Sequence, residues 1–287
     1  MGKKAIKNVI KNRPIAILLF LPAICTLILI ATWSVGMKEI ELPYLTAKSI
    51  MVVNCENGKT LYEKDASTPR PPASITKLMT LLLVFEDLEN GKIGWDDTFL
   101  VTPEQADTKG SKYGIKPGEE LTVRQLVAGV SMASGCDCVQ CLVSMCAEDE
   151  ESFVRRMNKK ADELDMQGTH FSNATGIDAI DQYMTAQDVA RLSETLIETY
   201  PEILDFTSAP ELDIDGRIFK NINVLVGEDE RVLGLKTGTT AMSGYSLVTY
   251  AEKNGRHSLI VLLDSNNDWT RYAETQTILD AVYGANP

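Results

Sequence analysis

The chain has 287 residues, 44% apolar and 24% charged, with 28 basic side chains against 40 acidic ones. That length and balance suit one large or two small globular domains with a sizeable core. The excess of acid argues against nucleic acid and anionic lipid headgroups as partners.

Residues 1–13 hold Lys3, Lys4, Lys7, Lys11 and Arg13 without an acid, and residues 14–37 hold no charged side chain. As a helix rising about 1.5 Å per residue, the apolar run from Ile15 to Val35 just spans a hydrocarbon core of about 30 Å. The basic flank predicts a cytoplasmic N-terminus and an exported remainder. A cleaved signal peptide is the rival, but its apolar region is about 7–15 residues long and ends at a small-x-small site. Here Ala31-Thr32-Trp33-Ser34-Val35-Gly36 is a poor site. The expected layout is a basic flank at 1–13, an uncleaved single-pass anchor at 14–37, a linker at 38–45 and an exported domain at 46–287. Without the flank, 23 basic residues face 40 acidic ones, a net charge of −17.

Ser49-Ile50-Met51-Val52-Val53 and Lys59-Thr60-Leu61-Tyr62-Glu63 flank Asn57-Gly58, which predicts a type I′ hairpin. Next, Leu78, Leu81, Leu82 and Phe85 follow helical spacing, with Gly91 as a stop. Thr122-Val123-Arg124-Gln125 reads as a capping box, and Thr185-Ala186-Gln187-Asp188 as a looser one. Between them, Phe153, Met157, Ala161 and Leu164 trace one helix face. A second hairpin is predicted around Asn254-Gly255, between Gly244–Tyr250 and Ser258–Leu263, and a helix over about Asp268–Val282. Both hairpins must bury a face. The expected fold is α+β: an antiparallel sheet from both chain ends (about 46–66 and 213–287) covered by helices, with a helical lobe over about 67–212.

Cys136, Cys138, Cys141 and Cys146 crowd into one segment, with Cys55 apart and Cys25 in the apolar run. This does not look like a disulfide framework. Cys138-Val139-Gln140-Cys141 is a CxxC without a second pair or nearby His to complete a metal site. Buried core thiols are the simpler reading.

Three short segments carry the chemistry. Ser74 and Lys77 lie three apart at the start of an apolar helix and so share a face. A hydroxyl becomes a nucleophile when a base within about 2.6–3.2 Å takes its proton, and Lys serves only if burial or nearby positive charge lowers its pKa. Lys236 is the expected source of that charge. Alone, Ser74 reads as a helix cap and Lys77 as a solvated residue. Lys236-Thr237-Gly238-Thr239 ends an apolar run and offers a cation and hydroxyls for an anionic substrate terminus, and Gly238 allows close backbone approach. Ser134, before Gly135, is expected at a loop tip, relaying a proton between Lys77, Ser74 and a leaving amine, or simply capping a helix.

In order, Ser74-Ile75-Thr76-Lys77, Ser134-Gly135-Cys136 and Lys236-Thr237-Gly238 resemble the signature of penicillin-recognising serine enzymes. Pro71–Thr80, Lys116-Pro117-Gly118 and Gly234–Gly238 with Gly244-Tyr245 make the chain similar to the low-molecular-weight D-alanyl-D-alanine carboxypeptidases from about Thr46 to Tyr283. The resemblance implies that Ser74 is acylated by the penultimate D-Ala of a peptidoglycan stem peptide, releasing terminal D-Ala, and that water then deacylates it. It implies covalent inhibition by β-lactams, an oxyanion hole from the Ser74 and Thr239 N–H groups, and no cofactor. It also places the protein in a bacterial cell membrane with the catalytic domain outside.

Cys136 stands where the family normally has Asn. A thiol is a weaker hydrogen-bond partner than an amide, so substrate positioning at Cys136 is expected to be impaired or specialised. As a nucleophile Cys136 lacks a His near in sequence, the chain having only His170 and His257. Many relatives also carry a C-terminal β-rich domain, and here the N-terminal segment is expected to supply the anchoring. Two alternatives stay open. One is a β-lactamase using an acid such as Glu163 or Asp188 for deacylation; the other is a non-catalytic cell-wall peptide sensor weakened by Cys136. The sequon Asn173-Ala174-Thr175 is taken as chance.

Overall fold

The computed structural model describes residues 39–285, so the expected anchor at 14–37 lies outside the described residues. Among those described, the strands are β1 (Ser49–Asn54), β2 (Lys59–Lys64), β3 (Thr98–Leu100), β4 (Glu120–Thr122), β5 (Glu211–Ile214), β6 (Arg217–Lys220), β7 (Val232–Thr240), β8 (Gly244–Lys253) and β9 (Arg256–Ser265). Five of them form one antiparallel sheet in the order β2-β1-β9-β8-β7. Pairing of β1 with β9, from Ser49 opposite Leu263 to Asn54 opposite Ser258, joins the two ends of the domain as the hairpins predict.

Alternation divides the central strands between two cores. Met51, Val53, Leu259, Val261 and Leu263 share a buried cluster with the helices Lys77–Glu89, Val123–Ala133 and Cys136–Cys146. Ile50, Val52, Ile260 and Leu262 on the other face are equally buried. Helix Asp268–Tyr283 packs on β8 and β9, with Ile278 and Leu279 inside. Covered on both faces, β1 and β9 read as continuous apolar runs.

Both Asn-Gly hairpins form, with different turns. Asn254 and Gly255 both have positive φ, 57° and 72°, and Lys253 pairs with Arg256, so this turn is the expected two-residue type I′. At Asn57-Gly58 only Gly58 has positive φ. Asn54 pairs with Lys59 across four residues, and Cys55 N donates instead to His257 O of β9 at 3.1 Å. The neighbouring strand thus claims Cys55 and opens the turn.

Helix Lys77–Glu89 buries Leu78, Leu81, Leu82 and Phe85 as the periodicity predicts, together with Met79, Leu83 and Val84. An all-round apolar helix belongs in a core. It ends just before Gly91, whose φ is +66°. Thr122 and Gln125 form the capping box; Thr185 caps helix Ala186–Thr199 by accepting from Asp188 N. Phe153, Met157 and Ala161 face inward from helix Glu150–Glu163. β3 pairs with β4 inside the helical segment. β5 pairs with β6 outside the main sheet, because β6 packs on helix Val123–Ala133 and buries Phe219. The main sheet therefore resumes only at Val232.

Candidate active site

Ser74 lies in a 3-10 turn, Ala73–Thr76, that runs into helix Lys77–Glu89, rather than on the α-helix itself. Ala73 has φ +49°, a sparsely allowed conformation for a residue with a Cβ. Lys77 is fully buried. Its Nζ shares a 2.8 Å hydrogen bond with Ser74 Oγ, donates to the Thr175 carbonyl oxygen at 2.6 Å, and lies 3.4 Å from Cys136 Sγ. Burial lowers the Lys77 pKa below the usual lysine range, opposed by Cys136, Asp137 and Cys138, which favour its proton.

Lys236 is buried on β7 and donates to Thr237 O at 3.1 Å. Burial first, then the charge of Lys77, push its pKa well below the lysine range, and Arg271 adds to this. Burial is the largest cause for both lysines, and the repulsion between their charges disfavours protonating both together.

β7 is a terminal strand of the sheet, and the Ser74 turn packs against it. Gly238 makes this approach possible: a Cβ there would stand 3.0 Å from Pro72 O and 3.1 Å from Ile75 Cγ1. Thr237 is buried and Thr239 exposed.

Ser134 is not at an exposed loop tip. It is 2% exposed, adopts φ 57°, and with Gly135 forms a two-residue junction between helices Val123–Ala133 and Cys136–Cys146. Its Oγ is buried without a hydrogen-bond partner among the described residues. Cys136 opens the second of these helices and brings its thiol to Lys77. Ser74, Lys77 and Cys136 are therefore in contact, and Gly238 borders the turn that carries Ser74.

Two contributors escaped sequence reading. One is the loop after Phe171, whose Thr175 carbonyl holds Lys77; Asn173-Ala174-Thr175 was its only signal, as a sequon. Asn173 Nδ2 instead donates to Ile177 O at 2.9 Å. The other is Arg271, buried on helix Asp268–Tyr283. Its Nη1 donates to Gly238 O at 3.2 Å, Thr239 Oγ1 at 3.0 Å and Ser246 O at 3.1 Å. As one Arg in a helix whose buried face also carries Glu274 and Thr275, it left no local mark.

Glu163 pairs with Lys160 and Lys159, and Asp188 accepts from Gly168 N and Thr169 Oγ1 at 2.9 and 2.8 Å. Both candidate deacylating acids are thus committed to structural contacts. All five described cysteines are free. Burial pushes Cys141 up to about 12 and Cys138 well above the thiol range.

Residues 37–267 match the Peptidase S11 family model, D-alanyl-D-alanine carboxypeptidase. The chain is 34% identical over 253 residues to the D-alanyl-D-alanine carboxypeptidase DacF of Bacillus subtilis, covering 86% of this chain and 64% of that protein. It is 33% identical to DacC of Escherichia coli, covering 84% and 62%. The chain thus spans under two thirds of the length of these relatives. Among solved structures, penicillin-binding protein D2 of Listeria monocytogenes in its cefotaxime-bound form superposes with a TM-score of 0.78 at 32% identity, over 85% of this chain and 99% of that one. DacD of Francisella tularensis gives 0.79 at 25% identity, over 85% and 71%.

Proposed function

The chain belongs to the Peptidase S11 family of D-alanyl-D-alanine carboxypeptidases, and on that basis we propose that it removes terminal D-Ala from peptidoglycan stem peptides through a Ser74 acyl-enzyme. The observation that carries this reading is the 2.8 Å Lys77–Ser74 hydrogen bond, made by a lysine whose burial favours the neutral amine. Neutral Lys77 takes the Ser74 proton as Oγ attacks the carbonyl of the penultimate D-Ala. The unpaired edge of β7 accepts the extended peptide beside Ser74, and the Ser74 and Thr239 N–H groups receive the developing oxyanion. Removing one such donor costs about 2.7–4 kcal/mol in other hydrolases. Ser134 Oγ, which has no hydrogen-bond partner among the described residues, passes the proton on to the leaving amine. The D-Ala carboxylate meets Lys236, Thr237 and Thr239, with Arg271 holding Gly238 and Thr239 in place. Its negative charge favours the Lys236 ammonium, which burial disfavours.

Penicillins trap the same serine. Intact-mass analysis of the protein mixed with benzylpenicillin tests the reading, with Ser74→Ala as control and D-Ala release from a D-Ala-D-Ala peptide measured in parallel. An adduct mapped to Ser74 with D-Ala release supports it. Labelling that survives Ser74→Ala rules Ser74 out as nucleophile, and rapid turnover of a chromogenic β-lactam moves the assignment to a β-lactamase. The uncharged run at 14–37 supports anchorage in a bacterial cell membrane with the catalytic domain outside. Labelling of intact cells with a membrane-impermeant β-lactam probe checks that placement.

A further inference from the structure

The loop behind Lys77 is organised by two side chains that the reaction itself does not use. Asn173 Oδ1 accepts from Thr175 N at 3.1 Å, Thr175 Oγ1 at 3.0 Å and Gly176 N at 2.7 Å, while its Nδ2 donates to Ile177 O at 2.9 Å. Both ends of the amide are engaged within one short turn. Gln182, 3% exposed, accepts from Ser172 N and Asn173 N at 2.8 and 2.9 Å and donates to Thr76 Oγ1 and Asn173 Oδ1, both at 3.4 Å. Thr76 lies between Ser74 and Lys77, so Gln182 ties this loop to the turn that carries the nucleophile. The loop ends in Gly176, pressed against the backbone of Ala73.

We infer that Asn173, supported by Gln182, is a positioning residue: it sets the Thr175 carbonyl that holds the Lys77 amine against Ser74. A neutral primary amine offers several rotamers, two hydrogens and one lone pair. One fixed acceptor, 2.6 Å away in a buried site, selects the orientation in which the nitrogen lone pair meets the Ser74 hydroxyl. The backbone oxygen can do this only if its peptide plane is fixed, and the bonds from Thr175 N, Thr175 Oγ1 and Gly176 N to Asn173 Oδ1 fix it. The segment read as a glycosylation sequon is thus part of the support for the base. The inference rests on the reading of Lys77 as the base for Ser74.

The test is the rate of benzylpenicillin acylation as a function of concentration and pH for the full-length protein, Asn173→Ala and Asn173→Asp. In Asn173→Ala the saturating rate constant falls roughly 10–100-fold, as expected when a reacting group is misplaced by about 1 Å, while the half-saturation concentration changes little. Its acid limb moves to lower pH, because the Lys77 ammonium loses an acceptor that favours it. Cys136, Asp137, Cys138 and Lys236, the other charged or titratable groups acting on Lys77, are the same in all three proteins, so a moved limb reports on the loop. Asn173→Asp keeps the acceptor for Thr175 and Gly176, loses the donor to Ile177 and adds a negative charge. It therefore loses less rate than Asn173→Ala, and its limb moves to higher pH. Variants with the wild-type rate constant and limb overturn the inference, as does a lost rate without movement of the limb. If Asn173→Ala does not fold, Asn173→Asp decides alone, and an unmoved limb there overturns the inference. A wild type that forms no Ser74 adduct overturns the functional reading and this inference with it, which separates the two failures.

Discussion

A Cβ on Gly176 would stand 1.9 Å from the Ala73 carbonyl oxygen, so the loop behind Lys77 meets the turn that carries Ser74 backbone to backbone. Gly238 presses the same turn from the β7 side. The nucleophile turn is held between two strands of backbone that only glycine lets so close.

The two glycines predict different losses. Gly176 combines that contact with φ +84°, so Gly176→Ala is expected to cost about 1–3 kcal/mol of stability and to abolish penicillin labelling. Gly238 has no positive φ, and its Cβ would meet Pro72 O at 3.0 Å and Ile75 Cγ1 at 3.1 Å, closer than ordinary contact but far short of the Gly176 clash. Gly238→Ala is expected to lose labelling with a smaller drop in thermal midpoint than Gly176→Ala. Melting curves and intact-mass labelling on both variants decide this, and equal stability losses would count against it.

Lys77 links activity to pH-dependent stability. Its folded pKa is lowered, so between that value and the unfolded one of about 10.4 the unfolded chain binds more protons. Stability therefore rises with pH across this window, by at most about 1.4 kcal/mol per pH unit, or roughly 3–5 °C in a domain of this size. Lys77→Met is expected to abolish labelling and flatten part of that climb, with Lys236 retaining its own share. Midpoints of both proteins over neutral to alkaline pH provide the check.

Arg271 holds two carbonyls of the sheet as well as Thr239. Arg271→Met leaves those buried oxygens short of a donor and should cost roughly 2–4 kcal/mol. If Thr239 and Gly238 shape the carboxylate end of the site as proposed, the half-saturation concentration for benzylpenicillin should rise more than the saturating rate falls. The opposite split would place Arg271 with the base instead.

Burial pushes Cys55, Cys141 and Cys146 each up to about 12. At mildly alkaline pH only about one such thiol in ten thousand is thiolate. Native protein is expected to leave these three and Cys138 unmodified by iodoacetamide, and denatured protein to take a label at each. Peptide mapping after both treatments tests this.

The family was legible because its signature is local. Ser74 and Lys77 are three residues apart, and Lys236, Thr237, Gly238 and Thr239 are contiguous. The capping box at Thr122 and the Asn254-Gly255 turn were legible for the same reason, since each is satisfied within four residues. Where a local signal competes with a distant partner, the partner wins. Asn57-Gly58 carries the same dipeptide as Asn254-Gly255, yet His257 takes the amide of Cys55 and lengthens the turn.

The sequence by itself determined the order and spacing of the three motifs and that both chain ends build one sheet, because helical spacing, strand pattern and turn chemistry are properties of neighbouring residues. Only the tertiary structure decided what surrounds and supports the residues of those motifs. The Thr175 carbonyl reaches Lys77 across 98 positions of chain and Arg271 reaches Gly238 across 33. The burial that lowers the Lys77 pKa likewise comes from packing many separate segments around one amine, and no single segment encodes it.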